Sequence, residues 1–251
     1  MADAKDKKRQ AKNKTGEISG TKLELTLAAE RVFALNGLRG TTLRQIREAA
    51  GQKNESVIHY NFGSRDAIIE AILFLRSRPI NEVRLKMLAA AREESNGGLL
   101  SAEQISRCSM VPLAEFVLGD DEPGHCMRFL AQLRNDREAR RKFGGRYDSG
   151  LRECLRALQE AMPYLPSGIL ERRFVGTRYM QLAGMAAIEE IKTEKGAAFR
   201  TEEAWVRVED MIGTAAAMYG VPLSVRTVSA IQRACEHQPM PTYADVSLKR
   251  G

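Results

Sequence analysis

The sequence predicts an all-α protein: a small three-helix N-terminal head followed by a larger helical bundle. Three observations carry this. Apolar residues recur at helical spacing along most of the 251 residues, and no stretch alternates apolar and polar residues as a half-buried strand would. Three of the periodic segments open on Ser or Thr with Glu or Gln three positions later, the pattern of a capped helix start. Gly or Pro closes most segments. There is no internal repeat, and the length suits one large domain or two small ones with a sizeable core.

Residues 1–20 are polar and charged and are expected to be a disordered basic arm carrying Lys5, Lys7, Lys8, Arg9, Lys12 and Lys14. Thr21 to Asn36 reads as the first helix. Thr21 and Glu24 form a capping box there. Leu25, Ala28, Ala29, Val32 and either Phe33 or Leu35 form its apolar stripe, and Asn36-Gly37 ends it.

The chain is organised around Thr41 to Asp66, TTLRQIREAAGQKNESVIHYNFGSRD. Leu43, Ile46, Ala49 and Ala50 share one face of a short helix that opens on a Thr42–Gln45 capping box and stops at Gly51. Ser56 to Tyr60 forms a second short helix, with Val57 and Ile58 for packing and Asn54, Ser56, His59 and Tyr60 for polar contacts. Phe62 anchors the exit. Ser64 caps the next helix, whose first turn holds Asp66, where a negative charge suits the dipole. Two short helices joined at a Gly, the second polar outward, make a helix-turn-helix, which presents its second helix to the DNA major groove. The first helix should brace this unit from behind.

Arg65 to about Ser77 faces a core with Ile68, Ile69, Ile72 and Leu75. Pro79 predicts a break or kink near Arg78, after which Ile80 to Glu93 continues with Val83, Leu85, Met87 and Leu88. The kinked pair is then the mechanical link between the two parts. Ser101 and Gln104 make a third capping box, opening a helix to Leu118 with Pro112 as a point of disturbance. GDDEPG at 119–124 is a turn by composition. Helices near 125–142 and 146–162 flank a break at Gly144-Gly145, and Pro163 and Pro166 bound the next loop. Ser167 to Lys195 is a long helix rich in small residues (Gly176, Ala183, Gly184, Ala186, Ala187) and closed by Gly196. Thr201 to Tyr219 follows with Glu202 and Glu203 in its first turn, then a short helix from Val225 to Glu236. The expected division is an arm at 1–20, a DNA-binding domain at 21–77, a helical domain at 78–236 and a tail at 237–251.

The residues of the head also resemble a family. T-T-x-x-x-I-x-x-x-A-G over Thr41–Gly51, followed by Y-x-F-G-S-R over Tyr60–Arg65, is similar to the TetR family of bacterial one-component transcriptional regulators, across about residues 21–75. Here Tyr60 lies two residues before Phe62 where many members have three, and the Gly51–Phe62 segment is one residue longer. The resemblance implies an effector pocket between the helices of the second domain. It also implies a homodimer in which the last long helices of two copies pair. Two recognition helices about 34 Å apart then read a two-fold symmetric operator on double-stranded DNA. Periodicity alone leaves the apolar surface of Met180, Leu182, Ala183, Met185, Ala186, Ile188, Val208, Met211, Ile212, Ala215 and Met218 open to either a dimer interface or an intrachain core.

For DNA, the hydroxyl and neighbouring N–H groups of Thr42 suit phosphate at a helix start, and Lys53 and Arg65 suit phosphate by charge. Asn54, Ser56 and His59 suit base edges, His59 having a structural hydrogen bond to the backbone as its alternative. Tyr60 is assigned to phosphate through the resemblance, and Gln52 is either a turn residue or a contact. The basic arm either follows phosphates into an adjacent minor groove or is an idle tail. For an effector, Met110, Phe116, Met127, Phe129, Tyr147, Phe174 and Tyr179 are candidate pocket residues, with ordinary core as the competing role.

Charge supports this division. The chain carries 39 Lys and Arg against 32 Asp and Glu, a formal +7, and nearly all of the excess lies in residues 1–65, beside the helix-turn-helix. Near-neutrality of the rest gives a weak preference for an uncharged or amphipathic ligand. Cys108, Cys126, Cys154 and Cys235 form no C-x-x-C and are expected to be free thiols in a reducing cytoplasm, with no metal site. No apolar run approaches the ~20 residues of a membrane span, and no apolar segment follows the basic N-terminus as in a secretory signal. No P-loop, G-x-S-x-G, H-E-x-x-H or dinucleotide fingerprint is present, so no enzyme activity and no cofactor are expected. The function expected is a ligand-responsive repressor that releases a palindromic operator when a small molecule binds. The alternative is a DNA-binding regulator without such a ligand, acting as an activator or architectural factor.

Overall fold

The computed structural model describes residues 18–119 and 124–235. The expected tail, the interior of the 119–124 turn and all but the last residues of the basic arm lie outside them. Among the described residues there are helices and no strand. The head is built from α1 (Thr21–Gly40), α2 (Leu43–Ala49), α3 (Val57–Phe62) and the start of α4 (Arg65–Glu94). Then come α5 (Ala102–Leu118), α6 (Cys126–Asn135), α7 (Arg137–Phe143), α8 (Ser149–Ala161), α9 (Ser167–Lys195), α10 (Thr201–Gly220) and α11 (Val225–Cys235).

The capping boxes of α2 and α5 form as the sequence predicts. Gln45 N–H donates to Thr42 Oγ1 at 3.2 Å and Thr42 N–H to Gln45 Oε1 at 2.7 Å. The Ser101–Gln104 pair repeats this at 3.1 and 2.8 Å. The Thr21 box does not form. Gly20 is the N-cap and Thr21 is already inside the helix, so its hydroxyl is one position too late to cap. Gly37 leaves helical dihedrals (φ 74°, ψ 162°) at the expected end of α1, but one more turn follows. Thr41 satisfies the carbonyls there, donating to Gly37 at 2.8 Å and Val32 at 3.3 Å.

Pro79 does not break α4, and Pro112 does not break α5. Tertiary bonds just beyond Pro79 tie the continuous α4 to its neighbours. Buried Asn81 donates to Ser149 Oγ at 2.8 Å and accepts the Gly150 N–H at 2.7 Å, tying α4 to the start of α8. The fit there is close, since a Cβ on Gly150 would lie 2.9 Å from Asn81 Oδ1. Arg84, one turn further, donates to the Ser109 carbonyl of α5 at 3.2 Å. Conversely, the single helix expected over 125–142 is two helices. Asp136 splits them, accepting the N–H groups of Glu138 and Ala139 at 2.9 and 3.0 Å as the cap of α7.

The core of the head gathers Leu25, Phe33, Ile46, Val57, Ile58 and Ile72 and continues without a gap onto Phe129, Leu133, Ala139 and Phe143 of α6 and α7. Phe33, not Leu35, is the buried alternative, and only Ile46 of the α2 stripe is buried; Leu43 is 41% exposed. A second cluster joins α5, α9 and α10 through Met110, Leu182, Met185, Ile188, Val208 and Ile212. A third joins α8, α9 and α10 around Cys154, Leu158, Phe174, Ala215 and Tyr219. Much of the apolar surface expected on the two long helices is therefore spent inside one chain. Cys108, Cys126 and Cys154 are free and buried.

Two buried carboxylates meet the start of α6. Glu30 of α1 accepts Arg76 Nε at 2.6 Å and Nη2 at 3.2 Å, and the His125 N–H at 3.3 Å. Glu189 of α9 accepts the N–H groups of Met127 and Arg128 at 3.0 and 3.1 Å. These are the donors that a first turn leaves without helical partners, and the dipole there favours negative charge. Burial still raises the Glu189 carboxyl above its ordinary range.

His125 sits beside this cluster. Burial, then the Arg128, Arg31 and Arg76 cations, hold its imidazole down to about 4 from 6.5. Unfolded His125 takes up a proton between those values that the folded residue refuses. This part of the stability is present above about 6.5 and is lost as pH falls towards 4. The Tm of the wild type should fall across that window, and His125→Gln should fall less steeply when scanned side by side.

Candidate nucleic-acid interface

α3 is six residues long and is oriented by its two buried members. Val57 and Ile58 point into the head core, which leaves His59 and Tyr60 outward. Tyr60 is 88% exposed. Phe62 returns to the core edge, with Lys22 Nζ 5.5 Å from its ring centroid. Gly63 (φ 71°) then turns the chain into α4, where Ser64 Oγ accepts the Ala67 N–H at 3.2 Å.

The turn before α3 is fixed by polar bonds. Arg47 Nη1 donates to the Lys53 carbonyl at 3.0 Å, and Asn54 Oδ1 accepts the Ser56 N–H at 2.9 Å in an Asx-type turn. The side chains of Lys53, Asn54, Ser56 and His59 remain exposed. Gln52 is half-buried and donates to Glu24 Oε2 of α1 at 3.0 Å, joining the turn to the helix behind it. Thr42 is exposed at the start of α2, its hydroxyl engaged with Gln45.

Arg65 is the exception among the expected contacts. It turns inward, with its guanidinium 5.1 Å from the Phe33 ring and Nη1 donating to the Thr41 carbonyl at 2.8 Å. Its Nη2 is buried. It therefore braces the head rather than reaching outward for phosphate. The sequence reading omitted Arg44, whose side chain is 79% exposed and paired with Glu48 at 2.7 Å. Its position on α2, away from the Ile46 face, was the available signal.

The face so assembled carries one cation from Lys53, amide, hydroxyl and imidazole groups from Asn54, Ser56 and His59, and a projecting phenol. Such groups on a protruding short helix can hydrogen-bond base edges while their neighbours take phosphate.

The candidate effector residues fall elsewhere. Met110, Met127 and Phe129 are fully buried in the core, and Phe174 stacks on Tyr219 with centroids 6.1 Å apart. Phe116 lies against the Arg76 guanidinium at 5.4 Å, and Tyr179 against that of Arg134 at 4.3 Å. Only Tyr147 of the seven lines the cavity of about 100 Å³ bordered by α4 to α9. Core-facing aromatic and Met residues share one spacing whether they meet a neighbour or a void, which is why the pattern overreached. The cavity wall instead carries Arg84, Arg134, Arg140, Arg146 and Arg178.

Two family models match the chain. One, bacterial regulatory proteins of the tetR family, covers residues 25–72. The other, the tetracyclin repressor-like C-terminal domain, covers residues 107–218. No curated protein matches.

Lys53→Ala and Tyr60→Phe alter exposed groups and should leave stability within about 0.5 kcal/mol while weakening duplex binding. Arg65→Met removes a charge-assisted bond worth ~1.5–3 kcal/mol and should lower the Tm. Thermal melts and fluorescence anisotropy on one preparation of each variant check both statements. An unchanged Tm for Arg65→Met would contradict its bracing role.

Proposed function

Since the chain belongs to the TetR family of bacterial regulatory proteins, and is thus a DNA-binding transcriptional regulator, we propose that it is a ligand-responsive repressor that releases a two-fold symmetric operator when a small molecule enters its cavity. The observation that carries this reading is electrostatic. The α7 segment that walls the cavity is tied by ion pairs to the base of the reading head: Lys142 to Asp66 and Arg146 to Glu70, both in the first turns of α4. Arg39 at the end of α1 adds a bond to Asp136, the cap of α7, at 2.8 Å.

A ligand that prefers a different position of α7 therefore favours a different position of the head. By linkage, it weakens DNA binding by the same factor by which DNA weakens ligand binding. α4 is unbroken through Pro79, so it serves as a lever rather than a hinge. From its Ser64 cap to Arg84 in the cavity wall it spans roughly 30 Å at 1.5 Å per residue.

A homodimer supplies the two-fold symmetry. Gly176, Ala183 and Ala187 on α9, with Val206, Gly213 and Ala217 on α10, remain exposed at helical spacing. A Cβ at Gly176 or Gly213 would meet nothing within 4 Å. Small residues permit the close backbone approach that a four-helix contact between two copies needs.

The test is anisotropy on duplexes tiling the DNA upstream of the chain's own gene, at two salt concentrations. One tile should bind tightly at the higher salt; equal, salt-sensitive binding to all tiles would overturn the operator reading. Light scattering should give about twice 28.0 kDa. Ala183→Arg with Gly213→Arg should give the single-chain mass and lose the tight tile.

A further inference from the structure

We propose that the cavity takes a small amphipathic anion, a carboxylate or phosphate group on an apolar body, held by Arg84, Arg134 and Arg178. This deepens, and rests on, the ligand-responsive reading above. Apolar side chains form much of the wall, among them Leu73, Ile80, Leu113, Leu133 and Leu182. Against them stand five arginines, and Asp148 is the single carboxylate among the described lining residues.

Arg84 is 3% exposed and Arg178 is 8% exposed. The bonds that hold them go to neutral acceptors: Arg84 Nη2 to the Ser109 carbonyl at 3.2 Å and Arg178 Nη1 to Ser109 Oγ at 3.3 Å. The Nε atoms of Arg84, Arg134 and Arg178 are all buried without a hydrogen-bond partner. Burial, then the Arg84 and Arg134 charges, pull the Arg178 guanidinium down to about 9. Asp148 acts on both Arg84 and Arg178, but one carboxylate does not match the cluster, and buried cations in excess of their counter-charges do not stabilise a fold. An oxyanion would supply acceptors for the unpartnered N–H groups and offset the mutual repulsion, and the planar guanidinium suits it bidentately.

The size of the site limits the ligand. About 100 Å³ is less than the ~150 Å³ of an engineered cavity that holds benzene, so the anion is small or the wall yields on binding. The same chemistry gives the trigger. Arg146 lines the cavity while pairing with Glu70 of α4. A bound anion competes with Glu70 for that cation and loosens the tie between α7 and the head.

The experiment measures the Tm of the full chain at fixed ionic strength with benzoate, hexanoate, phenyl phosphate and inorganic phosphate. Benzamide and hexanol are the neutral counterparts. At least one organic anion should raise the Tm by several degrees with saturation, and its neutral counterpart should not. A response to benzoate or hexanoate assigns a carboxylate; one to phenyl phosphate assigns a phosphate ester. Arg178→Met and, at the less buried position, Arg134→Met should each lose the shift. Without ligand their Tm should equal or exceed that of the wild type, because an uncompensated buried cation has gone. No shift with any organic anion, an equal shift with the neutral counterparts, persistence of the shift in both variants, or a marked fall of the ligand-free Tm in both would overturn the proposal. Anisotropy on the tightly bound duplex separates it from the regulator reading. A neutral compound that releases duplex would overturn the anion and keep the regulator. An anion that raises the Tm without releasing duplex would keep the site and overturn the ligand-responsive repressor reading.

Discussion

The start of α6 is the point on which the rest of the structure depends. Its first N–H groups are met by Glu189 from α9, while the His125 N–H just before it is met by Glu30 from α1. Glu30 is also the acceptor for Arg76 of α4. Four helices are thus fixed at one helix terminus by two buried carboxylates. Breaking a buried charge network by removing one partner typically costs ~3–5 kcal/mol. From this anchor α6 and α7 run along the head, and Phe129, Leu133 and Phe143 complete its core.

In the proposed reading, this arrangement is what links a cavity distant from α3 to DNA binding. Arg134, Arg140 and Arg146 line the cavity from α6, α7 and the turn after α7. The same stretch carries the ion pairs to Asp66 and Glu70 and the cap contact with Arg39. Those pairs are largely exposed, so each is individually weak and readily exchanged. Weak surface pairs on a firmly anchored helix are the kind of contact that the proposed ligand would shift without unfolding the head.

Local chemistry was legible in the sequence, and tertiary choice was not. The caps at Thr42 and Ser101 involve four consecutive residues and nothing else, so the pattern sufficed. The Pro79 break was a sound local inference overruled by Asn81 and its bonds to α8, 68 residues away in sequence. The Asp136 break obeys the same local cap chemistry, but Asp136 lies within an apolar-periodic run that reads as one continuous helix. Lys53 and Arg65 look alike as basic residues flanking the motif, yet one is exposed and the other lies over Phe33. The arginines of the cavity are scattered from Arg84 to Arg178, so a charge average over the second domain conceals their convergence.

Head and bundle act as one mechanical unit through the start of α6, and hydrogen exchange on Glu189→Gln is the decisive check. Glu189 stands on α9 and its carboxylate accepts N–H groups of α6, so it lies outside the head. Exchange should quicken in the first turn of α6 and also in α1 around Glu30. Faster exchange confined to α6 and α9, with α1 unchanged from the wild type, would contradict it.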